Sequence, residues 1–290
     1  AIVRAENLLM GELLKPPLEL IDGLEPEEGR AAVLVDCKPT SGNHLLVNGG
    51  VKPVAVMDHH ELEKRRFRVA FRDIRPRVAA LASMAAEYLR EQEIEPSTEL
   101  ATALLYAIRT ETVGWQAVYA RVDRRAITWL TDRCDPAKLN DIEHAALPRP
   151  YFGDLLLALE STFIYEDAAL CFLPRAHGPE IVGEVADLLI RCGGIHRVLC
   201  AALFEKDLLI SARSSRQGGD AVLLLEKTLK KMGTCGGHRH RAGGKVAGVE
   251  TRTGAEELQN MIRNRWLAAC GIKKSRGTRL VAKKEIVGNL

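Results

Sequence analysis

Val54-Ala55-Val56-Met57-Asp58-His59-His60 is an apolar, strand-length run that ends in a carboxylate and two adjacent imidazoles. Metal-binding side chains placed directly after an apolar strand are how an α/β protein presents chemistry at the carboxyl edge of its sheet. Upstream, Ala31-Ala32-Val33-Leu34-Val35-Asp36 is a second short apolar run closed by an acid. Two parallel strands joined by a crossover would put Asp36 and His59 at neighbouring positions on one sheet edge. A carboxylate beside an imidazole suits a divalent ion such as manganese, which tolerates oxygen and nitrogen ligands together. Taken singly, Asp36 and Asp58 also read as caps of the helices that follow, with the histidines half exposed. Two strand-end acids with a histidine pair favour a site.

At 290 residues and 47% hydrophobic, the chain can bury a large core and is long enough for two domains. Its seven cysteines are odd in number, scattered and never spaced as C-x-x-C, which argues against a disulfide framework or zinc ribbon and for reduced thiols in a cytoplasmic setting. No apolar run approaches the ~20 residues that cross a bilayer. The amino terminus lacks a basic-then-apolar signal pattern. The expectation is therefore a soluble cytoplasmic protein with no membrane partner. A net charge of +3 excludes a general polyanion-coating role. Lys273, Lys274, Arg276, Arg279, Lys283 and Lys284 crowd the carboxyl end, and read either as a solvated tail or as a weak contact to nucleic-acid phosphates.

Past the histidines, Val78, Leu81, Ala82, Ala85, Tyr88 and Leu89 form a stripe that predicts a helix over 77–92. A second helix starts at Ser97, whose hydroxyl can cap it, and ends where Arg109-Thr110-Glu111-Thr112-Val113-Gly114-Trp115 begins. Helical stretches over 123–131 and 137–145 and a long apolar segment over 151–162 follow. Strand and helix alternate, which indicates an α/β domain with a mainly parallel sheet flanked by helices. Pro174-Arg175-Ala176-His177-Gly178-Pro179 can continue neither helix nor strand and marks the boundary between domains 1–174 and 180–290. The second is expected to be a smaller, mixed α/β domain: a helix over 181–191, strands over 197–204 and 208–213 around a polar turn at Lys206-Asp207, and a helix over 221–232. No internal repeat is present.

Gly233-Thr234-Cys235-Gly236-Gly237-His238-Arg239-His240-Arg241-Ala242-Gly243-Gly244 mixes glycines with histidines and arginines. Glycines let backbone amides approach a phosphate that arginines can neutralise. By itself the segment reads either as a tight interdomain turn or as such a cradle. Arg213-Ser214-Ser215, after a strand, adds a guanidinium and two hydroxyls.

Asp36, Asp58-His59-His60, Arg109-Thr110-Glu111-Thr112 with Gly114-Trp115, Arg213-Ser214-Ser215, and Gly236-Gly237-His238 followed by Ala242-Gly243-Gly244 occur in one order across almost the whole chain. In this they resemble the DHH phosphoesterase superfamily with its DHH-associated carboxyl-terminal domain. Within it, the chain is most similar to the bacterial oligoribonuclease and 3'-phosphoadenosine 5'-phosphate phosphatase group, the nanoRNases. The resemblance implies a two-metal site, usually manganese with Mg2+ or Co2+ as alternatives, in a cleft between two domains, where an activated water attacks a terminal phosphate. It implies Asp36, His59 and Glu111 as metal ligands, with Asp36 bridging and His60 beside the scissile phosphate. Asp58 would orient the histidines. Arg213, Ser214, Ser215, Gly236, Gly237 and His238 would bind the phosphate and sugar of a short RNA or DNA oligonucleotide or nucleoside bisphosphate. A homodimer is compatible with the resemblance.

The sequence departs from that pattern twice. Glu111 stands where the family normally has Asp, one methylene shorter. The family's His-x-x-x-Asp-x-Asp segment, which supplies further ligands, has no counterpart before Asp36, as if the chain began inside the family's amino-terminal unit. Three ligands with open positions can still hold a catalytic metal. The competing expectations are a nucleotide-binding or regulatory module without catalysis, and a hydrolase of polyphosphate or of a cyclic-dinucleotide product. Trp115 reads either as a base-stacking platform or as a core residue.

Overall fold

The computed structural model describes residues 4–21, 23–24, 31–40, 44–46, 51–60, 67–112, 120–249, 252–273 and 276–281. Val113, Gly114, Trp115, Lys274, Lys283 and Lys284, singled out above, lie outside the described residues. The chain divides into two compact units, Ala1–Ala146 and Leu147–Leu290.

The first unit opens with helix α1 (Ala5–Leu14) and then forms strands β1 (Ala32–Val35), β2 (Pro53–Asp58) and β3 (Phe71–Ile74) in the order β1-β2-β3. The strands run parallel, with Val35 opposite Met57 and Met57 opposite Asp73. β1 and β2 therefore end side by side. The ladder extends one step further as the Asp36 N–H donates to the Met57 carbonyl at 2.9 Å. Helices α2 (Leu81–Glu91), α3 (Thr98–Thr112), α4 (Arg121–Thr131) and α5 (Pro136–Glu143) follow and share a core that includes Ala86, Ala101, Leu105, Ile108, Leu130 and Ile142.

The helix ends have local causes. Ser97 Oγ accepts the Leu100 N–H at 3.2 Å, as its position before the apolar stripe led one to expect. Asp135 accepts the N–H groups of Ala137 and Lys138 at 2.9 and 3.0 Å, with Pro136 in the first turn, where its missing N–H does no harm. α2 begins at Leu81 instead of 77, because Ala80 is extended and residues 76–79 form a turn. α3 continues through Thr112, so Arg109, Thr110 and Glu111 form its last turn instead of following it.

The second unit contains helix α6 (Arg149–Ser161), strands β4 (Thr162–Tyr165) and β5 (Ala168–Leu173), helix α7 (Ile181–Leu189), strands β6 (Arg197–Phe204) and β7 (Asp207–Ser214), helix α8 (Ala221–Leu229), strands β8 (Thr234–His238) and β9 (Arg241–Val246), helix α9 (Arg252–Ala269) and a short β10 (Thr278–Arg279). The sheet order is β10-β4-β5-β6-β7-β9-β8; β5 and β6 are parallel and the other pairs antiparallel. β6 is buried on both faces. Leu199 and Ala201 join a core with Leu225, Leu229, Ile262 and Trp266, whereas Val198, Cys200 and Ala202 join one with Ile181, Val185 and Leu189. That period of two explains why β6 reads as one continuous apolar run.

One expectation needs correction. The division between units falls at 146/147 and not between 174 and 180, because β4 and β5 pair into the second sheet; Pro174–Pro179 is only the connection from β5 to α7. The second unit carries the larger sheet, with seven strands against three among the described residues.

Candidate metal centre

The parallel pairing of β1 and β2 sets Asp36 beside Asp58, His59 and His60. Asp36 leaves β1 with φ 61, in the left-handed region that Asp tolerates better than most residues. Its Oδ1 lies 3.2 Å from His59 Nε2 and 3.8 Å from His60 Nδ1. The Asp58 side chain is fully buried. Its Oδ1 accepts the His59 N–H at 2.8 Å, the His60 N–H at 3.1 Å and the His60 ring Nδ1–H at 2.6 Å. Among the described residues Asp58 Oδ2 has no hydrogen-bond partner, and the buried Lys38 ammonium stands 4.0 Å from it. Asp36, Asp58 and His60 form a group whose ligand atoms all lie within 4.8 Å of one another.

The hydrogen bonds assign the rings. His59 Nδ1 is 3.2 Å from the Val78 carbonyl, which can only accept, so Nδ1 carries the hydrogen and Nε2 faces the Asp36 carboxylate. Two acceptors aimed at each other at that distance call for a cation: a proton on Nε2, or a metal. Burial pulls the His59 pKa down, but the Asp36 hydrogen bond and charge, the Val78 carbonyl and the Glu111 charge outweigh it and leave the ring above its ordinary value. Burial likewise pushes Asp58 up, and the hydrogen bonds from His60 with the charges of His60 and Lys38 more than reverse this, so it stays ionised below the usual carboxylate range. Burial, then the Asp58 and Asp36 charges, raise the Cys37 thiol, which makes it a poor candidate for a thiolate ligand.

In the second unit Arg213, Arg241 and His238 stand opposite one another on β7, β9 and β8. Directly opposed residues share a sheet face. Arg213 spends its donors inside the protein: Nε and Nη2 on Asp187 at 2.6 and 3.0 Å, Nη1 on Ser211 Oγ and the Ala212 carbonyl at 2.7 and 3.0 Å, and Nη2 on the Gly183 carbonyl at 3.4 Å. Ser214 Oγ donates to the Gly219 carbonyl at 2.9 Å, and Ser215 Oγ accepts the N–H groups of Gln217 and Gly218 at 3.1 and 3.2 Å. Both serines are buried. Gly236 and Gly237 are exposed and His238 half-buried.

The glycine-rich segment is a β-hairpin, neither a free loop nor an interdomain turn. Gly237 has φ 140, and a Cβ there would fall 2.3 Å from the Arg241 carbonyl oxygen. Gly237→Ala is expected to destabilise the protein by about 1–3 kcal/mol, read as a lowered thermal midpoint. An unchanged midpoint would show that the hairpin can shift without loss.

No known family profile matches the chain. An uncharacterized protein of Methanocaldococcus jannaschii is 28% identical over 226 residues, covering 76% of this chain and 46% of that one. The chain thus spans about half the length of this relative. Among solved structures, an exopolyphosphatase-related protein from Bacteroides fragilis superposes with a TM-score of 0.57 at 13% identity, over 78% of this chain and 67% of the other. At that identity the likeness shows a shared fold. A weaker likeness, TM-score 0.46 at 18% identity over 85% of this chain and 45% of the other, is to RecJ of Thermus thermophilus in complex with Mn2+.

The donors here fit the divalent cation that the sequence resemblance implies. Asp36 offers an exposed carboxylate, His59 Nε2 faces it, and the Asp58 oxygen without a hydrogen-bond partner adds negative charge behind them. Mixed carboxylate and imidazole donors suit a divalent transition ion. Glu111, at the exposed end of α3, reaches His59 through its charge; among the described residues it enters no group of three or more closely spaced ligand atoms. Lys38, the Val78 carbonyl and Asp187 were not singled out from sequence. Lys38, two residues after Asp36, was the nearest to a legible signal. No helix of the described residues is long and apolar enough to cross a membrane.

Proposed function

We propose that this chain is a divalent-metal-dependent phosphoesterase, with manganese as the ion and short oligonucleotides or nucleoside 3',5'-bisphosphates as substrates. The observation that carries the reading is the meeting of Asp36 Oδ1 with His59 Nε2 at 3.2 Å, on the carboxyl edge of a parallel sheet, with Asp58 buried behind. Asp36 and His59 would hold the ion, with Glu111 as a further donor. The ion would supply Lewis acidity toward a phosphoryl oxygen and lower the pKa of a bound water.

The remaining chemistry belongs to the chain. Asp58 holds the His60 Nδ1–H, which leaves Nε2 as the nitrogen that would take a proton from the attacking water or, once protonated, pass one to the leaving oxygen. Fixing that ring removes a rotation that would otherwise have to be frozen during reaction. Arg213, Ser214 and Ser215 would shape the end of the β8–β9 hairpin, and Gly236, Gly237 and His238 would meet the phosphate and sugar through backbone amides and an imidazole.

The test is release of mononucleotide from a short RNA and of phosphate from 3'-phosphoadenosine 5'-phosphate by the purified chain with added Mn2+. Inorganic polyphosphate and a linear dinucleotide serve as competing substrates. Turnover of the nucleotides is the expected result. Preference for polyphosphate would overturn the substrate class, and binding of nucleotide without turnover under any divalent ion would favour a regulatory module.

A further inference from the structure

We propose that Asp123 is a positioning residue for His59 and acts through the peptide group that joins Val78 to Ala79. Asp123 lies near the start of α4 with its side chain fully buried. Its Oδ2 accepts the Ala120 N–H at 2.8 Å, which is all that holding the first turn of α4 requires. Yet both carboxylate oxygens also lie 3.1 Å from the Ala79 nitrogen, a residue distant in sequence. The carbonyl of that same peptide group, Val78 O, receives the His59 Nδ1–H at 3.2 Å.

Carboxylate, peptide and imidazole thus form one chain of hydrogen bonds. Negative charge at the N–H end of an amide draws the proton toward it and enriches the carbonyl oxygen, so the second bond strengthens with the first. Through a single rigid peptide plane, Asp123 fixes both the place of the Val78 oxygen and its strength as an acceptor. His59 then keeps its hydrogen on Nδ1 and turns Nε2 toward Asp36. Metal-binding histidines commonly donate their second nitrogen to a carboxylate or a carbonyl; here the carboxylate acts one peptide further back.

The proposal rests on reading His59 as a metal ligand, so its first readout needs no metal. In Asp123→Asn, one of the two oxygens that face the Ala79 N–H becomes an NH2 donor set against it, and the charge is gone. Asp135→Ala removes an ordinary helix cap from the same unit and controls for lost stability. In the metal-free chain in mildly acidic buffer, the His59 Nδ1–H proton is expected as a downfield, slowly exchanging NMR resonance. It should move upfield and exchange faster in Asp123→Asn and stay in place in Asp135→Ala. By calorimetry, Mn2+ affinity should fall about 10–100-fold in Asp123→Asn and be unchanged in Asp135→Ala. If Asp123→Asn does not fold, Asp123→Ser, which removes the carboxylate from the Ala79 N–H, carries the same expectations. A ring resonance unmoved by loss of Asp123, or moved equally by Asp135→Ala, would overturn the proposal. Failure of the unaltered chain to bind Mn2+ would instead overturn the metal reading, with the ring resonance still deciding for or against Asp123.

Discussion

Asp36→Asn is expected to lower divalent-metal affinity and metal-dependent phosphoester turnover by more than about 100-fold while leaving the fold intact. The size follows from where the carboxylate sits. Loss of an outer partner of a metal ligand costs roughly 10–100-fold, and Asp36 is proposed as a direct donor, with its Oδ1 facing both His59 and His60. The fold survives because the side chain is 56% exposed and Asn tolerates the left-handed backbone at φ 61 about as well as Asp. Calorimetric titration with Mn2+, beside phosphate release from a nucleoside bisphosphate, measures both effects. Undiminished Mn2+ affinity in a folded Asp36→Asn protein would remove Asp36 from the ligand set.

Asp58→Ala should act on stability instead, with a loss of about 3–5 kcal/mol. The carboxylate accepts two backbone N–H groups and the His60 ring, and it faces the buried Lys38 ammonium. Alanine would strand the buried His59 N–H and Lys38 ammonium without this acceptor, and an orphaned buried donor forfeits its full hydration. Asp58→Asn keeps one acceptor and is expected to fall between the two. Urea denaturation followed by circular dichroism would read the change as a lower midpoint. A midpoint unchanged in Asp58→Ala would mean that water reaches the Asp58 carboxylate, contrary to its burial.

These two residues look alike in sequence, each an acid at the end of an apolar strand, yet one is exposed and the other sealed. The strands themselves were legible because Val33, Leu34 and Val35, and Val54 to Met57, are β-branched and apolar runs of strand length. The helices of the first unit that follow β3 were legible from the sequence, with ends displaced by turns that periodicity does not encode, whereas α1 was not read from it. The β8–β9 hairpin was not legible. Its glycines carry no strand propensity, and they are needed because a Cβ at Gly244 would fall 2.6 Å from Leu229 Cδ1, where α8 packs down on β9. Nor was the role of Arg213, since its partner Asp187 lies on α7, and nothing in the spacing of the two announces a bidentate pair.

By itself, then, the sequence determined that two apolar strands deliver Asp36 and Asp58-His59-His60 to one sheet edge, because strand length and apolar pattern are local properties of neighbouring residues. The tertiary structure alone decided which of those groups is buried and which nitrogen of His59 bears the hydrogen. It also decided that residues 147–173 belong with the second sheet. Each of these depends on a partner far away in the chain, Val78 for His59, Lys38 for Asp58 and β6 for β5, and such partners are chosen by packing and not by pattern.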